Sequence, residues 1–110
     1  MKILKAGQEI TMKEDFEVAC FAGKKKVKKG DRAFVTAAGC AHFVTGEARG
    51  KIQILSSVEI KGWDTENIAK ILCSGLDAYF DLSTILEEHD IDMSDLQEQL
   101  EDDLLNILDI

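Results

Sequence analysis

The chain has 110 residues, 45% of them hydrophobic and 31% charged, which is globular composition and excludes disordered or fibrous classes. Its formal net charge of −8 repels phosphate backbones on average, and no apolar run approaches the roughly 18 residues that span a bilayer. The length supplies one domain, or two very small units sharing a core.

The opening Met1-Lys2-Ile3-Leu4-Lys5-Ala6-Gly7-Gln8 turns polar too early for the apolar segment of a secretory signal. Cys20, Cys40 and Cys73 form an odd set without Cys-x-x-Cys spacing, unlike the dense even sets of disulfide-stapled secreted domains. Both features set the expectation of a cytoplasmic protein.

The first half reads as strands. Ile3 and Ile10 mark a possible edge strand, and Glu17-Val18-Ala19-Cys20-Phe21-Ala22 is a short apolar run ended by Gly23. Arg32–Ala37, Cys40–Thr45 and Lys51–Leu55 follow, separated by Ala38-Gly39 and by Gly46-Glu47-Ala48-Arg49-Gly50. Short runs rich in Val, Ile, Phe and Thr between glycine turns are the hairpin signature. The expectation is a small antiparallel β-barrel, SH3-like or OB-like, over residues 1–60.

The second half changes period. Ile68, Ile71, Leu72 and Leu76 recur at helical spacing, as do Leu96, Leu100, Leu104 and Leu108. A hydrophobic residue, an Asp and, four residues later, Ile or Leu recur at Trp63-Asp64…Ile68, Phe80-Asp81…Ile85 and Ile91-Asp92…Leu96. Each reads as an aspartate N-cap inside a hydrophobic staple, although Ser94 with Gln97 also fits a capping box at the third. Helices are therefore predicted over 65–79, 82–89 and 93–108. The fold class is α+β, with an acidic bundle of about three helices over 61–110 closing the open side of a basic barrel as one globular unit.

Charge follows the same division. Residues 1–58 hold eleven Lys or Arg against six acids, and residues 59–110 hold two Lys against fifteen acids, giving +5 and −13. Lys24, Lys25, Lys26, Lys28 and Lys29 either follow a nucleic-acid backbone or guard an edge strand against sheet-to-sheet pairing. Phe21 and Phe34 read as core, which leaves the run without the aromatic residues that single-strand binding favours. Asp95, Glu98, Glu101, Asp102 and Asp109 crowd the last helix with no cation of its own. They form either a solvated face, neutralised by the lysine run or not, or an acidic surface awaiting a basic protein.

Cys40 and His42 would share one face of a strand, but a zinc site needs two further ligands and a thiol nucleophile needs an orienting acid. Cys20 and His89 complete such a set only through a coincidence of folding, so no metal and no cofactor are expected. Cys73 reads as core, Trp63 as a staple residue, and the 46–50 loop as a hairpin turn rather than a phosphate loop. The catalytic motifs of an enzyme are missing from the sequence.

The expected function is thus a non-enzymatic interaction module whose acidic helices block or regulate a basic, nucleic-acid-handling protein. In size and charge, though in no motif, the chain is similar to small virus-encoded or mobile-element-encoded inhibitors of host defence such as anti-CRISPR proteins. The alternatives are a small-barrel nucleic-acid binder using the lysine run, or a structural or assembly subunit. Leu96, Leu100, Leu104, Leu105, Ile107 and Leu108 also offer the last helix for homo-oligomerisation.

Overall fold

A computed structural model describes residues 1–21 and 23–108. The chain divides into two compact units, Met1–Trp63 and Asp64–Ile110. The class is α+β, with eight strands and three helices among the described residues.

The first unit contains β1 (Lys2–Ala6), β2 (Glu9–Thr11), β3 (Phe16–Cys20), β4 (Gly23–Val27), β5 (Arg32–Val35), β6 (Cys40–Phe43), β7 (Ile52–Ile54) and β8 (Val58–Trp63). Among the described residues they form open sheets and no closed barrel: a four-stranded sheet ordered β2-β5-β6-β7, a β3–β4 hairpin, and a β1–β8 pair. The last pair is parallel, with Lys2 opposite Val58 and Leu4 opposite Ile60, where antiparallel pairing throughout was expected. It ties the first strand of the unit to the last, which local hairpin signals cannot announce.

Alternation along the strands builds one buried cluster. Val18, Val27, Ala33, Ala41, Phe43 and Ala48 form it, with Ile10, Met12, Phe16 and Leu55 half-buried against it. The cluster joins the β3–β4 hairpin to the four-stranded sheet, and the Phe16 and Phe43 rings meet across it with centroids 6.1 Å apart. Three alanines beside one phenylalanine let layers interdigitate, and full burial of Phe43 stabilises by about 1.5–3 kcal/mol.

The 46–50 loop is anchored. Ala48 at its centre is fully buried, so the charged residues Glu47 and Arg49 flank a core contact. Asp31 organises the approach: its carboxylate accepts from the Lys28 amide at 2.9 Å and the Thr45 hydroxyl at 3.1 Å. Gly46 has φ +76°, and a Cβ there would stand 2.6 Å from Asp31 Oδ2, so both backbone and space demand glycine.

The second unit contains α1 (Thr65–Phe80), α2 (Leu82–Glu88) and α3 (Met93–Leu108), within a residue or so of the spans predicted from periodicity. Asp64 caps α1 as expected, its Oδ1 accepting from the Asn67 amide at 3.0 Å. At α3 the ambiguity resolves toward Asp92, whose Oδ1 accepts from the Ser94 amide at 3.1 Å. The middle cap differs. Asp81 is the single residue between α1 and α2 and adopts the left-handed conformation at φ 54°. Its side chain accepts from the Thr84 hydroxyl and caps no α2 amide among the described residues, while Asp77, one turn earlier, accepts from the Ser83 amide at 2.7 Å. A helix that restarts after one residue leaves the preceding turn better placed to cap it.

Gly46→Ala should destabilise the protein by about 1–3 kcal/mol in urea unfolding. Part of that cost should vanish in an Asp31→Ala background, making the double variant less unstable than the sum of the two single changes. The Ser83 hydrogen bonds hold the Asp77 carboxyl below the ordinary aspartate value. Its contribution to the α1–α2 junction is therefore present above the unfolded aspartate range and lost as pH falls through the lowered pKa. The Ser83 amide resonance should titrate with a midpoint under the usual aspartate range, and this titration should disappear in Asp77→Asn.

Candidate functional site

The last helix places its acids unequally. At about 100° per residue, Asp95, Glu98 and Asp102 fall within a sector of about 60°, and all three are exposed. Glu101 lies to the side of that sector and is half-buried, so it stands apart from the others. Asp103, exposed on the opposite flank, accepts from Gln99 Nε2 at 3.0 Å. Asp109 lies outside the described residues. Leu96, Leu100, Leu104 and Leu108 line the other side of the helix and are half-buried.

Among the described residues, Asp95, Glu98, Glu101 and Asp102 have no cationic partner in an ion pair. The ion pairs there are Arg32–Glu9, Lys61–Glu59 and Lys70–Glu66. Asp95–Glu98 and Glu98–Asp102 are like-charge neighbours on one face, each costing about 0.2–0.5 kcal/mol of helix stability. The result is a ridge of negative charge on a regular element, with no ion pair to it among the described residues.

The lysine run occupies the β3–β4 hairpin and the turn beyond it. Lys24 is paired with Ala19, Lys25 with Val18 and Lys26 with Glu17. Strand alternation therefore puts Lys24 and Lys26 on one face and Lys25, half-buried, on the other. Three carboxylates serve the backbone of this segment: Glu47 accepts from the Lys26 amide at 2.6 Å, Asp31 from Lys28, and Asp15 from Lys29 at 2.7 Å. The ammonium groups of the five lysines take part in none of the ion pairs among the described residues. Lys26 and Lys28 also border an open surface pocket of about 380 Å³ with Asp31, Gly46 and Glu47.

Phe21 departs from its predicted place in the core. It sits at the hairpin turn, fully exposed, beside the lysine strand. Phe34 is half-buried, its ring 4.7 Å from that of His42. His42 and Cys40 share a face of β6 as their spacing requires, and His42 Nδ1 is buried without a hydrogen-bond partner. No group of three or more His, Cys, Asp or Glu side chains gathers as a metal site among the described residues. Cys73 is buried, as its helical stripe predicted, and burial pushes its thiol pKa up.

Several apolar residues that continue a helix stripe or a strand are exposed. Leu72 and Leu76 continue the stripe of Ala69 and Cys73 yet emerge into solvent with Tyr79 and Phe80, and Ile52 and Ile54 are exposed on the edge strand β7. Periodicity identifies an apolar face but does not say how far along it a neighbour reaches. Trp63 ends β8 and keeps 39% of its surface, so its staple position does not bury it.

No helix among the described residues is long and apolar enough to cross a membrane. Comparisons with protein-family models, curated proteins and solved structures find no match.

Proposed function

We propose that the chain is a non-enzymatic interaction module whose acidic α3 surface engages a basic, nucleic-acid-handling protein and blocks or regulates it. The single observation that carries this reading is the exposed Asp95–Glu98–Asp102 ridge, which no Lys or Arg among the described residues neutralises. A rigid helix bearing regularly spaced carboxylates offers a basic groove the charge it otherwise meets on a phosphate backbone, and such complementarity chiefly raises the association rate. Glu101 belongs at the margin of this surface, and Asp109 extends it in sequence. In this reading the protein works in the cytoplasm as a small inhibitor of the anti-defence type, encoded by a virus or mobile element. The strand half serves as its scaffold. An SH3-like or OB-like arrangement is our reading of that half, supported by the single cluster that joins its hairpin and its four-stranded sheet.

The exposed Phe21 favours a second reading, in which the β3–β4 hairpin binds single-stranded nucleic acid. Lys24 and Lys26 would neutralise phosphates, and the Phe21 ring would stack on a base, a contact worth about 1–3 kcal/mol. Because the attraction comes from lysine–phosphate contacts, such binding would weaken as salt rises, and the acidic unit would oppose it at low salt.

For the first reading, the whole protein should capture a basic protein from native lysate at low salt and release it at high salt. Asp95→Asn/Glu98→Gln/Asp102→Asn should weaken the captured complex by about tenfold or more while keeping the parent fold, since relief of two like-charge contacts offsets the loss of the Asp95 carboxylate from the first turn of α3. Unchanged capture by this variant removes the acidic surface from the account. For the second reading, fluorescence anisotropy with DNA and RNA single strands at low salt should show binding that falls with salt and weakens in Phe21→Ala. Absence of binding at low salt, where the electrostatic attraction is strongest, eliminates it.

A further inference from the structure

We infer that the open pocket bordered by Lys26, Lys28, Asp31, Gly46 and Glu47 is a nucleobase subsite that prefers guanine, read by the Glu47 carboxylate. The inference rests on the second reading above, in which the β3–β4 hairpin binds single-stranded nucleic acid, and it adds a base preference to that reading.

The charges around the pocket select the class of ligand. Two lysines and two carboxylates border one space of about 380 Å³, near the lower end of the ~300–1,000 Å³ of small-molecule sites. A bare phosphate meets the lysines but is repelled by Asp31 and Glu47, and a metal ion meets the reverse conflict. A ligand that satisfies both kinds of group brings N–H donors and negative charge together. A nucleotide does so, through the edge of its base and through its phosphate. Lys24 and Lys29, outside the pocket, continue the positive charge along the segment, which suits a phosphodiester chain.

Both carboxylates are held in place. Asp31 accepts from the Lys28 amide through one oxygen and from the Thr45 hydroxyl through the other. Glu47 accepts from the Lys26 amide through Oε2 at 2.6 Å, and its Oε1 enters no hydrogen bond or ion pair among the described residues. The loop that carries Glu47 is fixed as well. Its neighbour Ala48 is fully buried, the Lys51 amide donates to the Ala48 carbonyl at 2.9 Å, and the Arg49 amide donates to the Gly46 carbonyl at 3.2 Å. The open oxygen thus belongs to a preorganised group at the pocket wall, which lowers the ordering cost of binding.

Carboxylate chemistry then selects the base. An ionised carboxylate only accepts, and Oε2 keeps a lone pair beside its bond from the Lys26 amide. Guanine sets N1–H and N2–H₂ side by side on its Watson–Crick edge, matching the two oxygens of one carboxylate. Cytosine and adenine place an acceptor nitrogen next to their amine, and uracil and thymine flank a single N–H with carbonyls. Each of these turns a lone pair toward Glu47. Guanine alone offers two adjacent donors.

Fluorescence anisotropy of the full chain at low salt tests the proposal with three single-stranded RNAs: uridine only, the same strand with interspersed guanosines, and that strand with inosine in place of each guanosine. The guanosine strand should bind about tenfold more tightly than the uridine strand. Inosine, which lacks the N2 amine, should lose most of that advantage. Glu47→Gln still accepts from the Lys26 amide but presents an N–H donor in place of one oxygen, so it should abolish the preference while the uridine strand binds as before. Lys26→Ala should weaken both strands by a similar factor. Equal affinity of the parent for all three strands, or a guanine preference that survives in Glu47→Gln, overturns the proposal and leaves the hairpin reading intact. Absence of binding by every strand overturns the hairpin reading and the base subsite together.

Discussion

Uncompensated negative charge is the constraint around which the helical unit is arranged. Fourteen acids and one lysine fall between residues 64 and 110, and the lysine is paired with Glu66 at 3.5 Å. Some of the acids do structural work on the backbone: Asp64 and Asp92 cap helices, and Asp77 joins α1 to α2. Asp95, Glu98 and Asp102 do none of this among the described residues. They repel one another along one face of α3 and lower helix stability slightly, a cost that interaction with a cationic partner would offset.

The strand unit handles charge differently. Glu47, Asp31 and Asp15 accept from the amides of Lys26, Lys28 and Lys29, fixing the path of the lysine segment at its backbone. Among the described residues, its ammonium groups enter no ion pair. Lysines on β4 guard a strand against edge pairing, whereas Ile52 and Ile54 leave β7 with no such guard. The lysine run is thus accounted for as an edge device even before any ligand is considered, and Phe21 is the residue which that explanation does not need.

Legibility from sequence followed the range of the interactions involved. The helices were readable almost to the residue because aspartate caps and the 3.6-residue period act within a few positions. The Asp81 cap was misread because a left-handed residue between two helices moves the capping role to Asp77, and this depends on a backbone angle that no motif encodes. Strands β5, β6 and β7 were visible between their glycine turns. The parallel β1–β8 pair was not, since it joins positions more than fifty residues apart, although the alternation in Val58-Glu59-Ile60-Lys61 was a signal for β8. The acidic face was legible in charge and spacing, but the separation of Glu101 from Asp95, Glu98 and Asp102 needed burial. Leu72, Leu76, Tyr79 and Phe80 were legible as apolar and illegible as exposed, because exposure depends on where neighbouring elements end.

The central claim is that the α3 carboxylates are displayed to an external cation-rich surface, and the ionic-strength dependence of complex formation addresses it most directly. Stopped-flow association of the protein with its captured basic partner, measured from low to high salt, should give a rate constant that falls steeply while dissociation changes little. An association rate indifferent to salt would contradict the account, because a ridge of exposed like charges cannot direct a partner without being screened.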